Sequence, residues 1–521
     1  MPLRFFLPAA LALFVAAAPA AARDCLITEF GATAGDESVD TKAIQAAVDA
    51  CAAAGGGRVV VPAGRFVSGT VMLKSYIELH LVRGALLLGS PSLADYAPSQ
   101  ESAGSHTEGK RDGLLIADKA ERVAITGAGI VDGNGESFWD PGFLASGKSR
   151  PSLPRPMPWV EFRDSRFIVV RDTTFRNSPS YGVAFTRSSD VHVDNVKVFN
   201  DPRSPNTDGI QVNDSQRVTI RAVHIATGDD AIVLKSDHRD VEDVVVSDSI
   251  LTSDDGAFKF GTSSSKAIRR VTLRDTTMID SRIGVALFMR RGGVFEDFEV
   301  RNLRFLGRSR SWMEWPIYID IDRRAEGNAL GRIRNVRIEG MQIESRGNVL
   351  VTGNPAALME NVTLRDIEFN VSEPAPLARL SNKPRGNITA GTVPGSVDHS
   401  RENSHFTFGH IRGLVLDRVR VRGKPEDVAA RRPFTLIDVV DARLTELDVG
   451  ERAGAAQRSP IVQARDSGDL LVAGVRLRGP ASASASASAP APVLEWLGHS
   501  RGGGARLCRE VVSECEPLRA P

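Results

Sequence analysis

The chain has 521 residues, a mass of 56.1 kDa and a formal net charge of +1, with 42% hydrophobic and 25% charged residues. The near-zero charge excludes a protein that binds nucleic acid mainly through a basic surface. The composition is close to the globular average, which excludes global disorder and supplies enough apolar material for a large core. The 47 glycines and 28 prolines indicate many turns.

The N-terminus has the pattern of a secretory signal peptide. Arg4 supplies a positive charge, Phe5 to Ala18 is an apolar stretch, and Ala20-Ala21-Ala22 offers a cleavage site. A retained anchor helix is the alternative, but the apolar stretch is short for a membrane span. We therefore expect residues 1–22 to be removed. The mature chain, 23–521, is then predicted to be a single secreted or periplasmic bacterial domain without a membrane anchor.

An amphipathic helix is predicted shortly after the start of the mature chain. Asp40 is a suitable N-cap, Thr41 to Ala54 carries its apolar side chains on one face, and Gly55-Gly56-Gly57 ends the helix. We expect this helix to cap the first turn of the fold. A disulfide between Cys25 and Cys51 would tie it to the start of the chain.

A short strand pattern, in which apolar and polar residues alternate, recurs through the chain. Its second apolar residue recurs at intervals of 27, 26, 27 and 27, at Val193, Ile220, Val246, Leu273 and Val300. Several short strands per period, with no helices between them, predict a β-solenoid of stacked parallel strands. Propeller blades need longer repeats, and the Leu/Asn pattern of leucine-rich repeats is absent.

Two segments interrupt this period. Ser309–Asn328 carries three arginines and two tryptophans, and Glu373–Glu402 is rich in Pro, Gly and Asn. The second segment predicts a long loop of the kind that forms the wall of a groove. Leu364 and Leu416 are 52 residues apart, which we interpret as two coils of 26.

The C-terminal end has its own pattern. Residues 481–492 alternate Ala and Ser and then Ala and Pro, which predicts a flexible loop. Residues 493–521 then form a predicted C-terminal cap, in which Cys508 and Cys515 make a second disulfide. Four cysteines allow three connectivities, and buried free thiols are the alternative. No CxxC motif or Cys/His cluster indicates zinc.

The densest group of acidic residues lies in the middle of the chain. Asp208 is 21 and 22 residues from Asp229 and Asp230, a little less than one coil, so a solenoid places all three near one another on one face. Asp254 and Asp255 follow one coil later. Crowded carboxylates repel, which raises at least one pKa. A protonated carboxyl beside ionised ones is the arrangement that glycoside hydrolysis needs.

Each of these motifs also has a structural interpretation. Asp-Gly pairs are common in turns, and clustered Asp oxygens suit Ca²⁺. Lys235 and Lys259 weaken the calcium interpretation, and each of them either forms a salt bridge or binds substrate. Arg290 is either a turn residue or a ligand for an acidic substrate group. Gly209 and Gly228 would let a substrate approach the backbone closely.

Motifs with a familiar order run through most of the mature chain. They are Phe30-Gly31-Ala32, Val59 to Gly64, Ile130 to Gly135, Asn177 to Tyr181, Asn206-Thr207-Asp208-Gly209 and Gly228-Asp229-Asp230. In this set the chain resembles the polygalacturonase-like glycoside hydrolases (glycoside hydrolase family 28). The resemblance implies an all-β fold, the right-handed parallel β-helix, here with an N-terminal capping helix.

The resemblance also implies a mechanism. Asp208, Asp229 and Asp230 would be the catalytic carboxylates of an inverting hydrolase, with Asp229 or Asp230 as general acid and the others activating water. No metal or cofactor is expected. The residues that we expect to bind substrate are Asn206, Lys235, Lys259 and Arg290.

Two departures from the family pattern bear on the substrate. Polygalacturonases carry a Gly-His-Gly motif where this chain has Asp255 to Thr262 without histidine. They carry an Arg-Ile-Lys motif that grips a galacturonate carboxylate, where this chain has the uncharged stretch Gly284 to Phe288. We therefore expect a monomeric pectin-degrading hydrolase acting on rhamnogalacturonan or galacturonide linkages of the plant cell wall, with a pectic polysaccharide or oligosaccharide as its partner. A Ca²⁺-dependent polysaccharide lyase and a non-catalytic carbohydrate-binding β-helix are the alternatives.

Overall fold

The computed structural model describes residues 23–99, 111–140, 154–307, 314–374 except 326, 397, 402–477 except 455, 457 and 458, and then 493–497, 505–508 and 515–518. This part of the chain is almost entirely short strands joined by tight turns. The strands of the first half are β1 (Arg23–Leu26), β2 (Gly57–Val61), β3 (Gly64–Ser68), β4 (Val71–Leu73), β5 (Ile77–Leu81), β6 (Ala85–Gly89), β7 (Leu115–Asp118), β8 (Glu121–Thr126), β9 (Ile130–Asp132), β10 (Val160–Arg163), β11 (Arg166–Arg171), β12 (Thr174–Arg176), β13 (Val183–Thr186), β14 (Ser189–Asp194), β15 (Lys197–Phe199), β16 (Ile210–Asn213), β17 (Gln216–Arg221), β18 (His224–Thr227), β19 (Ile232–Lys235), β20 (Val241–Ser247), β21 (Ile250–Ser253) and β22 (Gly256–Phe260).

The second half has longer strands and one short α-helix. The strands are β23 (Ala267–Ile279), β24 (Ile283–Met289), β25 (Val294–Leu306), β26 (Trp315–Ile321), β27 (Arg332–Ser345), β28 (Val349–Thr352), β29 (Met359–Val371), β30 (Ser404–Gly423), β31 (Arg432–Thr445), β32 (Asp448–Val449), β33 (Val462–Arg465), β34 (Gly468–Ala473), β35 (Arg476–Leu477), β36 (Leu494–Leu497), β37 (Ala505–Cys508) and β38 (Cys515–Leu518). The α-helices are α1 (Thr41–Ala53) and α2 (Pro425–Ala429), and the 3₁₀ helices are Ile27–Phe30, Leu93–Asp95 and Gly135–Phe138.

The strands stack into three parallel ladders, as a β-helix requires. Sheet 1 begins β1-β2-β5-β8-β11-β14-β17-β20, sheet 2 begins β3-β6-β9-β12-β15-β18-β21, and sheet 3 runs β4-β7-β10-β13-β16-β19-β22-β24-β26-β28. From β23 onwards, long strands pass through the corner between sheets 1 and 2, so the ladders join into one continuous sheet. The predicted right-handed parallel β-helix is confirmed.

The predicted period is the register of sheet 1. Val193 pairs with Ile220, Ile220 with Val246, Val246 with Leu273, and Leu273 with Val300. All five side chains are buried in the core. Aliphatic residues therefore stack on aliphatic residues from coil to coil, and a slip of one residue would turn each of them to the outside.

The polar residue that opens each strand pattern has a conformational role. Asp190, Arg217, Asp243 and Arg270 all have left-handed backbones, with φ between 53° and 58°. They also pair across coils, because Arg217 bonds Asp190 and Arg270 bonds Asp243, both at 2.7 Å. These pairs are exposed, so each contributes little to stability.

One interpretation of the second half is wrong. Leu364 pairs directly with Leu416, so their separation of 52 corresponds to one coil with an insertion and not to two coils. An insertion in a surface connection lengthens the coil at small entropic cost without changing the register. The first interruption acts in the same way, because Val300 pairs with Ile338, 38 residues later.

The N-terminal elements lie against the first strands. Helix α1 contacts β1, β2 and β4, and the structure contains a disulfide between Cys25 and Cys51. Asp40 occupies the N-cap position, but its carboxylate accepts the backbone N–H of Thr33 at 3.0 Å and makes no capping bond. That α1 caps the solenoid stays a prediction.

Several predicted features lie outside the described residues. These are the signal peptide, most of the Glu373–Glu402 loop, the 481–492 loop and the side chains of Cys508 and Cys515. The backbones of these two cysteines face each other in the antiparallel pair β37–β38. In the described part of the chain, no helix has the length and apolar character needed to cross a membrane.

Candidate active site

The acidic residues lie at the starts of three consecutive strands of sheet 3. Asp208 precedes β16, Asp229 and Asp230 precede β19, and Asp255 precedes β22. Backbone bonds between the coils fix this stack, because the N–H of Gly209 donates to the carbonyl of Asp230 at 2.8 Å. The coil period therefore converts acids far apart in sequence into one cluster.

Three of these carboxylates form the centre of the cluster. One oxygen from each of Asp208, Asp229 and Asp230 lies within 4.8 Å of the other two. Asp208 and Asp230 are only 3% and 4% exposed, whereas Asp229 is partly exposed. The predicted meeting of these three residues on one face is what the structure has, and Asp229 is the one most open to a ligand.

The ionisable neighbours distinguish the carboxylates. The ammonium group of Lys235 lies 3.2 Å from Asp208, and that of Lys259 lies 2.9 Å from Asp230. Among the residues that the structure describes, no cation pairs with Asp229. Its oxygens instead accept the backbone N–H of Asp230 at 2.9 Å and, in a long hydrogen bond of 3.5 Å, the side-chain amide of Asn206.

This difference orders the proton affinities. Burial, together with the neighbouring Asp208, Asp230 and Asp255, raises the pKa of Asp229 well above its usual value. Burial raises the pKa of Asp230 to about 7, against the charge of Lys259, which lowers it. Because Lys259 stabilises the ionised form of Asp230 and no described cation pairs with Asp229, we assign the proton to Asp229.

A fourth carboxylate lies beside the cluster. Arg282, the residue immediately before β24, donates a hydrogen bond to Asp255, and the ammonium of Lys259 lies 3.4 Å from the same carboxylate. Although burial acts in the opposite direction, these two cations lower the pKa of Asp255 to about 2. Asp255 is thus an anion throughout the physiological range.

Neutral and cationic side chains contact the residues of the cluster. Gln211 donates to Asp208 at 2.6 Å, and Arg155 donates to Asn206 at 2.8 Å. Arg155 is 7% exposed, and burial lowers its pKa to about 10. The ammonium of Lys235 lies over the ring of Tyr181, 4.9 Å from its centre.

The sequence analysis missed Arg282, Arg155 and Gln211. For Arg282 two signals were present. It stands one coil, 27 residues, after Asp255, just as Lys235 stands 27 residues after Asp208. It also lies, with Ile283, directly before the stretch beginning at Gly284 that we interpreted as uncharged. Arg155 and Gln211 carry no comparable signal, because their positions depend on the packing of loops and neighbouring strands.

Arg290 does not join the cluster. Its side chain is 1% exposed and donates to Asp320 at 2.6 Å. Gly209 and Gly228 also differ from expectation. A Cβ at Gly209 would lie 2.6 Å from the carbonyl oxygen of Ala231, and one at Gly228 would lie 2.4 Å from that of Ser204. These glycines are required by the packing of backbone on backbone, not by the approach of a ligand.

The donor set is a poor match for a divalent cation. Three clustered carboxylates suit Ca²⁺ in principle. Here the ammonium groups of Lys235 and Lys259 already lie against two of the three. A metal ion would have to displace them or bear their repulsion.

The protein is thus a parallel β-helix with a crowded acid cluster on sheet 3, an arrangement that suits acid–base chemistry. The model of glycosyl hydrolases family 28 matches residues 51–374. The chain belongs to this family.

Two similar proteins are named as a polygalacturonase and a galacturonosidase. The "Probable polygalacturonase" of Vitis vinifera is 26% identical over 314 residues, covering 56% of this chain and 62% of that protein. The exo-poly-alpha-D-galacturonosidase of Dickeya chrysanthemi is 30% identical over 251 residues, covering 40% and 41%. The chain thus spans less than two thirds of either relative.

A solved structure has the same fold. The exopolygalacturonase of Thermotoga maritima superposes with a TM-score of 0.56 at 21% identity, covering 67% of this chain and 88% of that one. At this identity the likeness establishes the parallel β-helix alone.

Proposed function

We propose that the protein is a secreted or periplasmic, monomeric glycoside hydrolase that cleaves pectin-type polysaccharide or oligosaccharide, at rhamnogalacturonan or galacturonide linkages. The observation that carries the proposal is the unequal pairing of the acid cluster. Asp208 and Asp230 each have a lysine, whereas Asp229 has none among the described residues. A carboxyl that keeps its proton beside a carboxylate held by a cation is the pair of acid and base that hydrolysis uses.

In the proposed reaction Asp229 donates its proton to the glycosidic oxygen as the bond from this oxygen to the anomeric carbon breaks. A water molecule held by Asp208 and Asp230 forms the new bond from the opposite face and gives its proton to one of them. The products are two saturated sugars, with inversion at the anomeric carbon. Exchange with solvent then returns the proton to Asp229.

The stereochemistry rests on the third carboxylate. Two-acid glycosidases with carboxylates about 5 Å apart use one as a nucleophile, and those that invert space them more widely. The closest oxygens here lie within 4.8 Å. Two ionised carboxylates beside one acid can nevertheless bind and deprotonate a water together, which favours inversion, in agreement with the resemblance to inverting hydrolases.

The substrate class follows from the relatives and from the local departures. The similarity to a polygalacturonase and a galacturonosidase favours a pectic substrate for this protein. Arg282 is the cation that stands closest in sequence to the stretch from Gly284, where polygalacturonases carry the Arg-Ile-Lys motif. It is already bonded to Asp255, so it does not offer a free charge to a substrate carboxylate. A neighbouring sugar without a carboxylate, as in rhamnogalacturonan, fits this balance better than galacturonate.

Product analysis tests the proposal. The purified protein would be incubated with polygalacturonic acid and with rhamnogalacturonan I, in the presence of a chelator, and products would be separated by mass. We expect saturated oligosaccharides from at least one substrate. The rate of cleavage should fall roughly 10²- to 10⁴-fold in Asp229→Asn. The matched control is Asp248→Asn, at an exposed left-handed position that Asn tolerates. Unsaturated products would indicate a lyase, and binding without products would indicate a carbohydrate-binding protein.

A further inference from the structure

Each ionised carboxylate of the cluster has a cation of its own. The pairs are Asp208 with Lys235, Asp230 with Lys259, and Asp255 with Arg282. Each cation comes from the strand, or the residue before the strand, one coil further along sheet 3. Each of these three carboxylates therefore has a cation in contact with it, whereas Asp229 has none among the described residues.

The ammonium group of Lys259 is occupied by two carboxylates. An ammonium group has three N–H donors. The Nζ of Lys259 donates to one oxygen of Asp230 at 3.0 Å and to one of Asp255 at 3.4 Å, and it lies 2.9 Å from the second oxygen of Asp230. The residue is 6% exposed, and its ammonium lies over the ring of Phe288, 5.6 Å from the centre.

Asp255 is fixed from the other side. It accepts a bond from Arg282, which is 3% exposed, and its backbone N–H donates to the hydroxyl of Ser253 at 2.9 Å. Its second oxygen faces Lys259. The order of contacts is therefore Arg282, Asp255, Lys259, Asp230, with every side chain in the series held by its neighbours.

We infer that Lys259 and Asp255 are positioning residues of the active site: Lys259 holds both oxygens of Asp230, and Asp255, tied to Arg282, holds the ammonium of Lys259 in place. This inference rests on the proposed function, since Asp230 must be a base for its position to matter. It replaces the expectation that Lys259 binds substrate.

The electrostatic surroundings agree with this role. The charged and titratable groups that face Asp229 and Asp230 from all neighbouring strands and loops are Asp208, Asp255, Lys235, Lys259, Arg155, Arg282 and Tyr181. Of these, Lys259 is the cation in contact with Asp230. Removing it raises the proton affinity of Asp230, whereas removing the charge of Asp255 lowers it.

The test is a pair of variants with opposite expected shifts. Lys259→Met keeps the aliphatic stem and removes the charge. We expect kcat to fall roughly 100-fold, as for a misplaced catalytic group, with KM changed by less than about twofold. The acidic limb of the kcat profile should move up by about 1 to 3 pH units. In Asp255→Asn the same limb should move down, and Lys259→Arg should restore part of kcat.

The control is Lys197→Met, which removes a lysine from an exposed position on β15. Substrates are polygalacturonic acid and rhamnogalacturonan I. A raised KM with an unchanged kcat profile in Lys259→Met would overturn the inference and restore a substrate-binding role. Full activity in Asp229→Asn would instead refute the proposed function, so the two failures are distinguishable.

A readout without substrate keeps the inference testable in every case. Burial raises the pKa of Asp230 to about 7, so below that pH its carboxyl holds a proton in the folded protein that the unfolded chain has already lost. The free energy of unfolding therefore falls as pH rises towards 7. Above pH 7 the thermal stability of Lys259→Met should fall more steeply with pH than that of the wild type, in which Asp230 has already lost its proton. Parallel stability curves would contradict the inference. If Lys259→Met does not fold, the stability curve of Asp255→Asn, in which the contribution of Asp230 should end at a lower pH than in the wild type, decides the matter.

Discussion

Replacing Asp229 by Asn should stabilise the protein, and more so as pH rises. Burial and three neighbouring carboxylates raise the pKa of Asp229, so in the folded protein its carboxyl stays protonated where an unfolded chain has lost the proton. Holding that proton costs folding free energy. Asn is neutral at every pH and has a similar shape, so it removes the cost and can still accept the backbone N–H of Asp230.

The magnitude follows from proton linkage. A group with a raised folded-state pKa binds more protons in the folded state, so stability falls as pH rises above the unfolded pKa of 3.8. The fall is about 1.4 kcal/mol per pH unit for as long as the folded carboxyl remains protonated. This slope is an upper value, because Asp229 is partly exposed to solvent. Below about pH 4 the two proteins should be equally stable.

The assay is thermal or urea unfolding of wild type, Asp229→Asn and the control Asp248→Asn at pH 4, 5, 6 and 7. The slope of the difference against pH is the quantity of interest. A pH-independent difference, or an Asn variant that is less stable at pH 6, would refute the assignment of the proton to Asp229.

Three further predictions concern activity and the N-terminal disulfide. The kcat/KM of the wild type should rise through a limb near pH 7, where Asp230 loses its proton, and fall at higher pH as Asp229 ionises; a flat profile would contradict the pairing of acid and base. Arg155→Met should lower kcat roughly 10- to 100-fold in steady-state assays, because Asn206 loses its donor, while exposed Arg221→Met should not. The Cys25–Cys51 disulfide closes a loop with a sequence separation of 26. Replacing both cysteines should lower the free energy of unfolding, measured by denaturant titration, by about 3 to 4 kcal/mol. An unchanged midpoint would show that the loop is ordered without the disulfide.

The fold is predictable from the sequence because one physical constraint repeats. Stacked coils must bring aliphatic residues into register, so the spacing from Val193 to Val300 is the register of sheet 1. The same reasoning fails where an insertion lengthens a coil. Leu364 and Leu416 are separated by twice the period and are nevertheless direct partners, since a period counts residues and cannot tell an inserted loop from a second coil.

The site is predictable to the level of the acids and not of their partners. Asp208, Asp229 and Asp230 meet because turns before successive strands stack. Which cation approaches which acid depends on how each side chain leaves its strand and on what packs behind it. Arg290 illustrates the limit, because nothing in its local sequence shows that it is buried against Asp320.

The anomeric configuration of the first product distinguishes the proposed mechanism from its alternatives. Proton NMR would follow the cleavage of the best substrate during its first minutes, before the free sugar equilibrates. The account, with Asp229 as acid and Asp208 and Asp230 as joint bases for water, predicts the inverted anomer and saturated ends. A retained anomer would instead mean that one of these carboxylates attacks the sugar, and an unsaturated end would mean that no hydrolysis takes place.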